Sequence, residues 1–190
     1  MDAANVDLKA FNEDFYWRLC TSSLQPVLET LKYLKHETDV WFEITDLLIP
    51  GENDSEAEIE EMTQWLMENL GPDVPLHFSA FHPDWKMLDK PRTPLSTLTR
   101  SRAIALKNGL SHVYTGNVHD LEGDSTFCQS CGTLLIGRDW YELSTWTLDD
   151  AGHCRACGTR CAGVFDGPPG NWGRKRQPVR MGHDRLPSNC

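Results

Sequence analysis

The chain contains no apolar run that approaches a membrane span. It also lacks any basic excess: 18 Lys and Arg stand against 28 Asp and Glu, a formal net charge of −10. Phosphate contacts need a positive field, so this balance argues against a general nucleic-acid binder. The N-terminus, Met1-Asp-Ala-Ala-Asn5, has neither a basic leader nor an apolar core, and no signal peptide is visible. The cytoplasm follows as the expected compartment, with no membrane partner. Seven cysteines are an odd number for a disulfide framework, and a metal accounts for four of them, which points to reducing surroundings.

Those four dominate the sequence. Cys128-Gln-Ser-Cys131-Gly132 is followed by Cys154-Arg-Ala-Cys157-Gly158, with 22 residues between Cys131 and Cys154. A two-residue gap lets both sulfurs of a Cys-x-x-Cys turn reach one ion, and the glycine permits the tight turn beneath them. Four thiolates in a tetrahedron suit zinc in a structural role, with iron as the competitor; unliganded or disulfide-bonded cysteines are the plainer alternative. Cys161 reads as a spare thiol, or as the third member of an iron–sulfur-like Cys154-x2-Cys157-x3-Cys161 run. Cys20 reads as buried packing, and Cys190 has no assigned role.

Ahead of the cysteines, short apolar strands alternate with amphipathic helices. Strands are predicted over Asn5–Phe11, Val40–Ile49, Pro75–Phe81 and His112–Thr115. Between them, Leu24, Val27, Leu28, Leu31 and Leu34 recur at helical spacing, with Ser22 or Ser23 as cap and Pro26 in the first turn. Ser55-Glu-Ala-Glu58 is a capping box for a helix bearing Ile59, Met62 and Leu66 on one stripe. Thr93-Pro94 opens a third helix that Gly109 closes. Strand–helix alternation implies parallel strands with right-handed crossovers. The fold class is therefore α/β: an incomplete β/α, partial TIM-type barrel of about four parallel strands over 1–122, since a full barrel needs roughly 200 residues or more. A four-cysteine, zinc-ribbon-like module follows over 123–166, with hairpin strands at Leu134–Tyr141 and Tyr141–Leu148, and a basic tail over 167–190 is expected to be disordered.

Parallel α/β folds bind ligands at the carboxyl ends of their strands. Asp7 and Lys9 on the first strand, Glu43 and Thr45 on the second, His82 after the third and Asn117 after the fourth all fall there. Each alone has a plainer reading: a self-neutralising Asp7–Lys9 pair, a solvent-facing Glu43, a loop His82 before proline. Their shared location makes them candidates, because polar groups facing inward are costly to bury without a ligand.

Asp7-Leu-Lys-Ala-Phe11, Ile49-Pro-Gly-Glu-Asn-Asp54, Gly71-Pro-Asp-Val-Pro-Leu-His-Phe78, Phe81-His-Pro83, Val113-Tyr-Thr-Gly-Asn117 and the trailing Cys-x-x-Cys pair, taken in order, resemble the radical S-adenosylmethionine (SAM) enzymes of the AmmeMemoRadiSam system, relatives of the pyruvate formate-lyase activating enzymes. The resemblance runs from about residue 3 to 165. It implies a partial barrel, a [4Fe–4S] cluster, reductive cleavage of SAM to a 5′-deoxyadenosyl radical, and hydrogen abstraction. In such enzymes an Asp-x-Lys strand and a later His line the SAM site, which implies those roles for Asp7, Lys9 and His82. The family's Cys-x3-Cys-x2-Cys cluster motif is absent. The chain therefore looks like the C-terminal half of such an enzyme, a fragment or one half of a split protein, which does not itself ligate the cluster and is inactive in isolation. A missing N-terminal half or a protein substrate would be its partner. The alternative is a zinc-ribbon scaffold that docks a protein without catalysis.

Overall fold

The computed structural model describes residues 1–170, 173 and 175. Four strands, β1 (Ala3–Asp7), β2 (Trp41–Leu48), β3 (Leu76–Ala80) and β4 (Val113–Gly116), form one parallel sheet in the order β1-β2-β3-β4. A short helix α1 (Glu13–Phe15) runs into a π-helical turn, Tyr16–Cys20, and three longer helices connect the strands: α2 (Gln25–Glu37), α3 (Glu56–Leu70) and α4 (Leu95–Lys107). A second, antiparallel sheet holds β5 (Thr126–Phe127), β6 (Leu134–Asp139) and β7 (Glu142–Trp146) in the order β5-β6-β7.

The alternating burial of the strands assigns the two faces of the parallel sheet. Phe42, Ile44, Leu48, Leu76, Phe78, Ala80 and Val113 are buried in one core with Leu28 and Leu31 of α2, Ile59, Met62 and Leu66 of α3, and Leu98 and Ala105 of α4. All three long helices thus cover the same face. Phe78 has no exposed surface, and truncating such a ring to alanine costs about 3–5 kcal/mol. The opposite face carries Asn5, Asp7, Glu43, Thr45, His77, Ser79 and Tyr114. Register aligns Asp7, Thr45, His77 and Tyr114 in one row straight across the sheet. Among the described residues no helix covers this row; the face is one that a closed barrel would turn inward. β1 and β4 are the edge strands of the sheet.

Local chemistry departs from expectation in several places. The first strand stops at Asp7 rather than Phe11. Beyond Leu8, which still donates to the Thr45 carbonyl, the chain is claimed by side chains from elsewhere: Glu58 accepts from the Phe11 amide at 2.8 Å and from Asn12 Nδ2 at 2.8 Å, and the Lys9 amide donates to the Tyr16 hydroxyl at 3.0 Å. Neither Ser22 nor Ser23 caps α2. The Glu13 carboxylate does so from α1, accepting from the amides of Leu24 and Gln25. The predicted start at Thr93 is two residues early, because Thr93 is buried and its hydroxyl ties the Leu48 carbonyl to the Phe81 amide. The left-handed Gly109 after α4 occurs as predicted, but the capping box forms by half: Ser55 Oγ accepts from the Glu58 amide, while the Glu58 carboxylate is spent on Phe11 and Asn12. β4 begins one residue later than predicted, and α1, the π-helical turn and β5 have no counterpart in the sequence reading. Most of the expected tail lies outside the described residues, as does Cys190. Among the described residues, no helix is long and apolar enough to cross a membrane.

Candidate functional site

The four ribbon cysteines converge. Their Sγ atoms all lie within 4.8 Å of one another, with Cys128–Cys157 at 3.6 Å and Cys131–Cys154 at 3.8 Å. A tetrahedron with metal–sulfur bonds of about 2.3 Å has edges of about 3.8 Å, so the tetrad has the dimensions for one ion. The two knuckles are local copies. In each, the first cysteine's amide donates to the threonine carbonyl five residues on at 2.8 Å, and the glycine amide donates back to that cysteine's carbonyl at 2.9 and 2.8 Å. Gly132 and Gly158 take φ of +72° and +77°, as the turn demands. Thr133 and Thr159 place their hydroxyls 3.2 and 3.3 Å from the Sγ of Cys131 and Cys157. These hydroxyls, with the amides beside them, bring the Cys131 thiol down to about 6 and lower that of Cys157, whereas burial pushes Cys128 up to about 11. Threonine at the sixth position of both knuckles was legible as a repeat, Cys-x-x-Cys-Gly-Thr, but the sequence reading did not use it. Cys161 is buried outside the tetrad, with its Sγ 3.6 Å from the Ala162 carbonyl.

The six polar candidates on the barrel side separate into two groups. Asp7 ends β1, and Lys9, two residues on, reaches back to it at 2.7 Å; both remain about half exposed. Thr45, beside Asp7 in register, donates to Asn5 Oδ1 at 3.1 Å. His82 lies two residues past β3, exposed, with Nδ1 3.0 Å from the Pro83 carbonyl. Asp7, Lys9 and His82 lie at or just past the carboxyl ends of β1 and β3, whereas Thr45 lies mid-strand in β2, in the same row as His77, and not at a strand end as expected.

Glu43 and Asn117 belong elsewhere, to a cleft of about 540 Å³ between the open sheet face and the ribbon. Glu43 pairs with His77 Nε2 at 2.9 Å, and this bond holds its carboxyl below the ordinary range. His77 stacks on Tyr114, with ring centroids 5.0 Å apart. Asn117, at φ +60°, donates to the Ala80 carbonyl at 3.2 Å. The ribbon contributes Arg138, Trp140 and Tyr141. His77, Tyr114 and Arg138 were not anticipated. Period-two alternation is the signal that could have put His77 and Tyr114 on the open face, but nothing local in the sequence says that a ribbon strand will close over them.

Two buried polar features also escaped the sequence reading. Asp46 sits on the helix-covered face at 1% exposure. Burial, together with the charge of Glu58, raises its carboxyl well above the ordinary range, against the opposing pull of Lys9. Asn53, equally buried, accepts from the Ile49 amide at 2.7 Å and donates to the carbonyls of Lys9 at 2.7 Å and Leu47 at 3.0 Å, and to Asp46 Oδ1 at 3.2 Å. It ties the segment after β1 to the segment after β2, and so supports the Asp7–Lys9 rim.

With this geometry in hand, the chain can be set against known proteins. No protein-family model matches it. Over 161 residues, 84% of this chain, it is 42% identical to an uncharacterized protein, MJ0808, of Methanocaldococcus jannaschii. The match covers 48% of that protein, so the chain spans about half the length of the curated relative. Among solved structures, a domain of a pyruvate-formate lyase-activating enzyme from Bacteroides vulgatus is similar with a TM-score of 0.53 and 18% identity, over 61% of this chain and 68% of that one. The chain shares that domain's fold. A radical SAM methyltransferase from Sphaerobacter thermophilus gives a TM-score of 0.49 and 21% identity, over 68% of this chain and 37% of its own. The α/β architecture with a four-stranded parallel sheet and a four-cysteine group suited to a metal is therefore as the sequence implied.

Proposed function

We propose that this chain is the SAM-holding part of a radical SAM enzyme of the AmmeMemoRadiSam type, and that its ribbon binds zinc. The observation that carries the reading is the parallel sheet covered by helices on one face only, with the Asp7–Lys9 pair at the end of β1 and His82 just past the end of β3. The fold shared with an activating-enzyme domain supports it.

The rim residues suit the methionine and ribose parts of SAM. Half exposed, the Lys9 ammonium keeps protons for a ligand carboxylate beyond the one it gives Asp7. Asp7 keeps an oxygen for the ligand ammonium. With His82 Nδ1–H donating to the Pro83 carbonyl, Nε2 is left as an acceptor for a ribose hydroxyl. When SAM is bound to a reduced [4Fe–4S] cluster, the pair supplies the 5′-deoxyadenosyl radical that abstracts hydrogen from a substrate. The cysteines here do not fit that cluster. Among the described residues the ribbon tetrad is the only metal-competent group of three or more, and its sulfurs are spaced for a single ion. The sequence also lacks a Cys-x3-Cys-x2-Cys motif, so cluster ligation would be supplied by a partner half, and hydrogen abstraction by the assembly that includes it. The free edge of β1 is where further parallel strands would add.

Calorimetric titration with SAM tests the reading. The chain should bind SAM, and Lys9→Ala should weaken binding by about tenfold or more, the worth of one charge-assisted contact. Failure of the wild-type chain to bind, or unaltered affinity in the variant, removes the rim from the cofactor site.

A further inference from the structure

We infer that the cleft between the open sheet face and the ribbon is a second ligand site, built for a small zwitterion of the α-amino-acid type with a flat apolar side group. It is distinct from the strand-end rim and does not depend on the cofactor assigned there.

The charged groups of the cleft carry the argument. Arg138, on β6, is held rigidly from behind. Its Nη1 donates to the Asp124 carbonyl at 3.1 Å and to Thr126 Oγ1 at 2.7 Å, and its guanidinium carbon lies 5.5 Å from the centre of the Tyr114 ring. Thr126 is in turn fixed by the Tyr114 hydroxyl at 2.8 Å. Among the described residues, Nε and Nη2 of Arg138 have no hydrogen-bond or ion-pair partner. That immobilised edge is the half of a guanidinium that takes a carboxylate in two parallel bonds. Two carboxylates line the same cleft. Glu43 spends one oxygen on His77, and the Asp124 side chain has no hydrogen-bond partner among the described residues. A simple anion would gain Arg138 but meet both acids, and a simple cation would gain the acids but meet Arg138. A ligand carrying both charges matches the whole set.

The walls define the rest of the ligand. Tyr114 forms one side, and Trp140 and Tyr141 stand exposed at the lip, on the turn between β6 and β7. Trp140 holds φ at +56°, a left-handed conformation that favours glycine or asparagine in such turns. The indole there is 49% exposed and offers a face to a ligand. On the floor, a side chain at Gly116 would come within 2.8 Å of Ser79 Oγ, so glycine keeps the floor low. A volume of about 540 Å³ is within the ordinary range for small-molecule sites.

The experiment is calorimetric titration of the chain, without SAM or iron, using L-phenylalanine, phenethylamine and 3-phenylpropionate as probes. L-phenylalanine should bind one-to-one, and each analogue lacking one charge should bind about tenfold or more weakly. Asp124→Asn should weaken L-phenylalanine by a similar factor and strengthen 3-phenylpropionate, which then meets one acid fewer, a difference that loss of folding cannot produce. Arg138→Ala should weaken both. The inference is overturned if L-phenylalanine does not bind at millimolar concentration, if 3-phenylpropionate binds as well as it does, or if Asp124→Asn leaves its affinity unaltered. Neither SAM nor a cluster enters the assay, so failure here leaves the rim assignment standing, and failure there leaves this one.

Discussion

Arg138 of the ribbon lies over the ring of Tyr114 in the parallel sheet, its guanidinium carbon 5.5 Å from the ring centre. Around this contact, Tyr114, Thr126 and the Asp124 carbonyl form a clasp between the two sheets. The ribbon is thus coupled to the open face of the sheet, and whatever orders the ribbon also shapes that face.

Replacing Cys128 by serine should therefore act at two places. One of the four metal ligands is lost, and bound metal, measured by elemental analysis, should fall from one ion per chain towards none. Hydrogen exchange should show lost protection in β6 and β7, and with them the clasp on Tyr114. The core formed by α2, α3 and α4 with the parallel sheet should keep its protection, because the ribbon has a separate hydrophobic cluster. An unchanged metal content would sink the tetrad as the binding site.

The threonines beside the exposed cysteines make a narrower prediction. Thr133 and Thr159 hold equivalent positions, each within 3.3 Å of the sulfur it serves. Thr133→Val and Thr159→Val keep the shape and delete the hydroxyl. Groups that hydrogen-bond metal ligands are worth about 10–100-fold in metal affinity, so each variant should lose metal to a competing chelator at least tenfold more readily than wild type. The two effects should be of similar size. A large effect at one threonine and none at the other would refute the equivalence of the knuckles.

How far the sequence foretold this molecule depends on the range of the interactions involved. The three long helices and the strands β2, β3 and β4 followed from periodicity and punctuation, since apolar spacing and turn residues act within a few positions. The tetrad followed from two Cys-x-x-Cys-Gly turns, for the same reason. What escaped notice was long-range. Glu13 caps a helix whose own serines looked sufficient, because α1 folds back across it. β1 ends early because Glu58, on α3, claims the Phe11 amide. The Glu43–His77–Tyr114–Arg138 cleft draws on three strands of one sheet and one of another, a juxtaposition that only the fold creates. Asp46 was hidden for a different reason. It occupies an apolar position in β2, where sequence pattern alone suggests a break in alternation rather than a buried acid.

Asp46 gives a pH-dependent prediction. Its carboxyl is raised in the folded chain by burial first and by Glu58 second. A raised folded-state value means that the folded state holds the proton more tightly than the unfolded one. The associated stability is present in full below the unfolded value of about 3.9 and is lost as pH rises through the folded value. Asp46→Asn keeps an acceptor for Asn53 and removes the titration. At pH 7 the variant should be more stable by about 1 kcal/mol, a melting-temperature gain of about 2–4 °C. The advantage should close below about pH 4, where wild type is protonated in both states. Paired thermal melts across that range isolate the effect, because every other acid is common to both chains. A gap that persists at low pH would show that Asp46 is not the group responsible.

Asn53 tests whether the rim is built by long-range support or by the Asp7–Lys9 pair itself. That pair is half exposed, and an ion pair of this kind contributes little, about 0–1 kcal/mol. Its position depends instead on the backbone beneath it, where the Lys9 carbonyl accepts from Asn53 at 2.7 Å. The same amide serves the Leu47 carbonyl and Asp46, and its oxygen serves the Ile49 amide. Asn53→Ala strands several buried polar groups, each costing about 1–3 kcal/mol when unsatisfied, so a net loss of about 2–4 kcal/mol is expected in a urea melt. Asn53→Asp is the sharper substitution. It keeps the bond from the Ile49 amide but cannot donate to the two carbonyls, and it sets a second carboxyl beside Asp46. It should be at least as destabilising as alanine at pH 7 and should recover part of the loss on acidification, as the new pair takes up a proton. If SAM binds at the rim, both variants should weaken it while leaving L-phenylalanine binding at the ribbon cleft unaltered, since no residue of that cleft touches Asn53. Equal loss at both sites would mean that Asn53 supports the whole sheet, and that the rim has no separate scaffold.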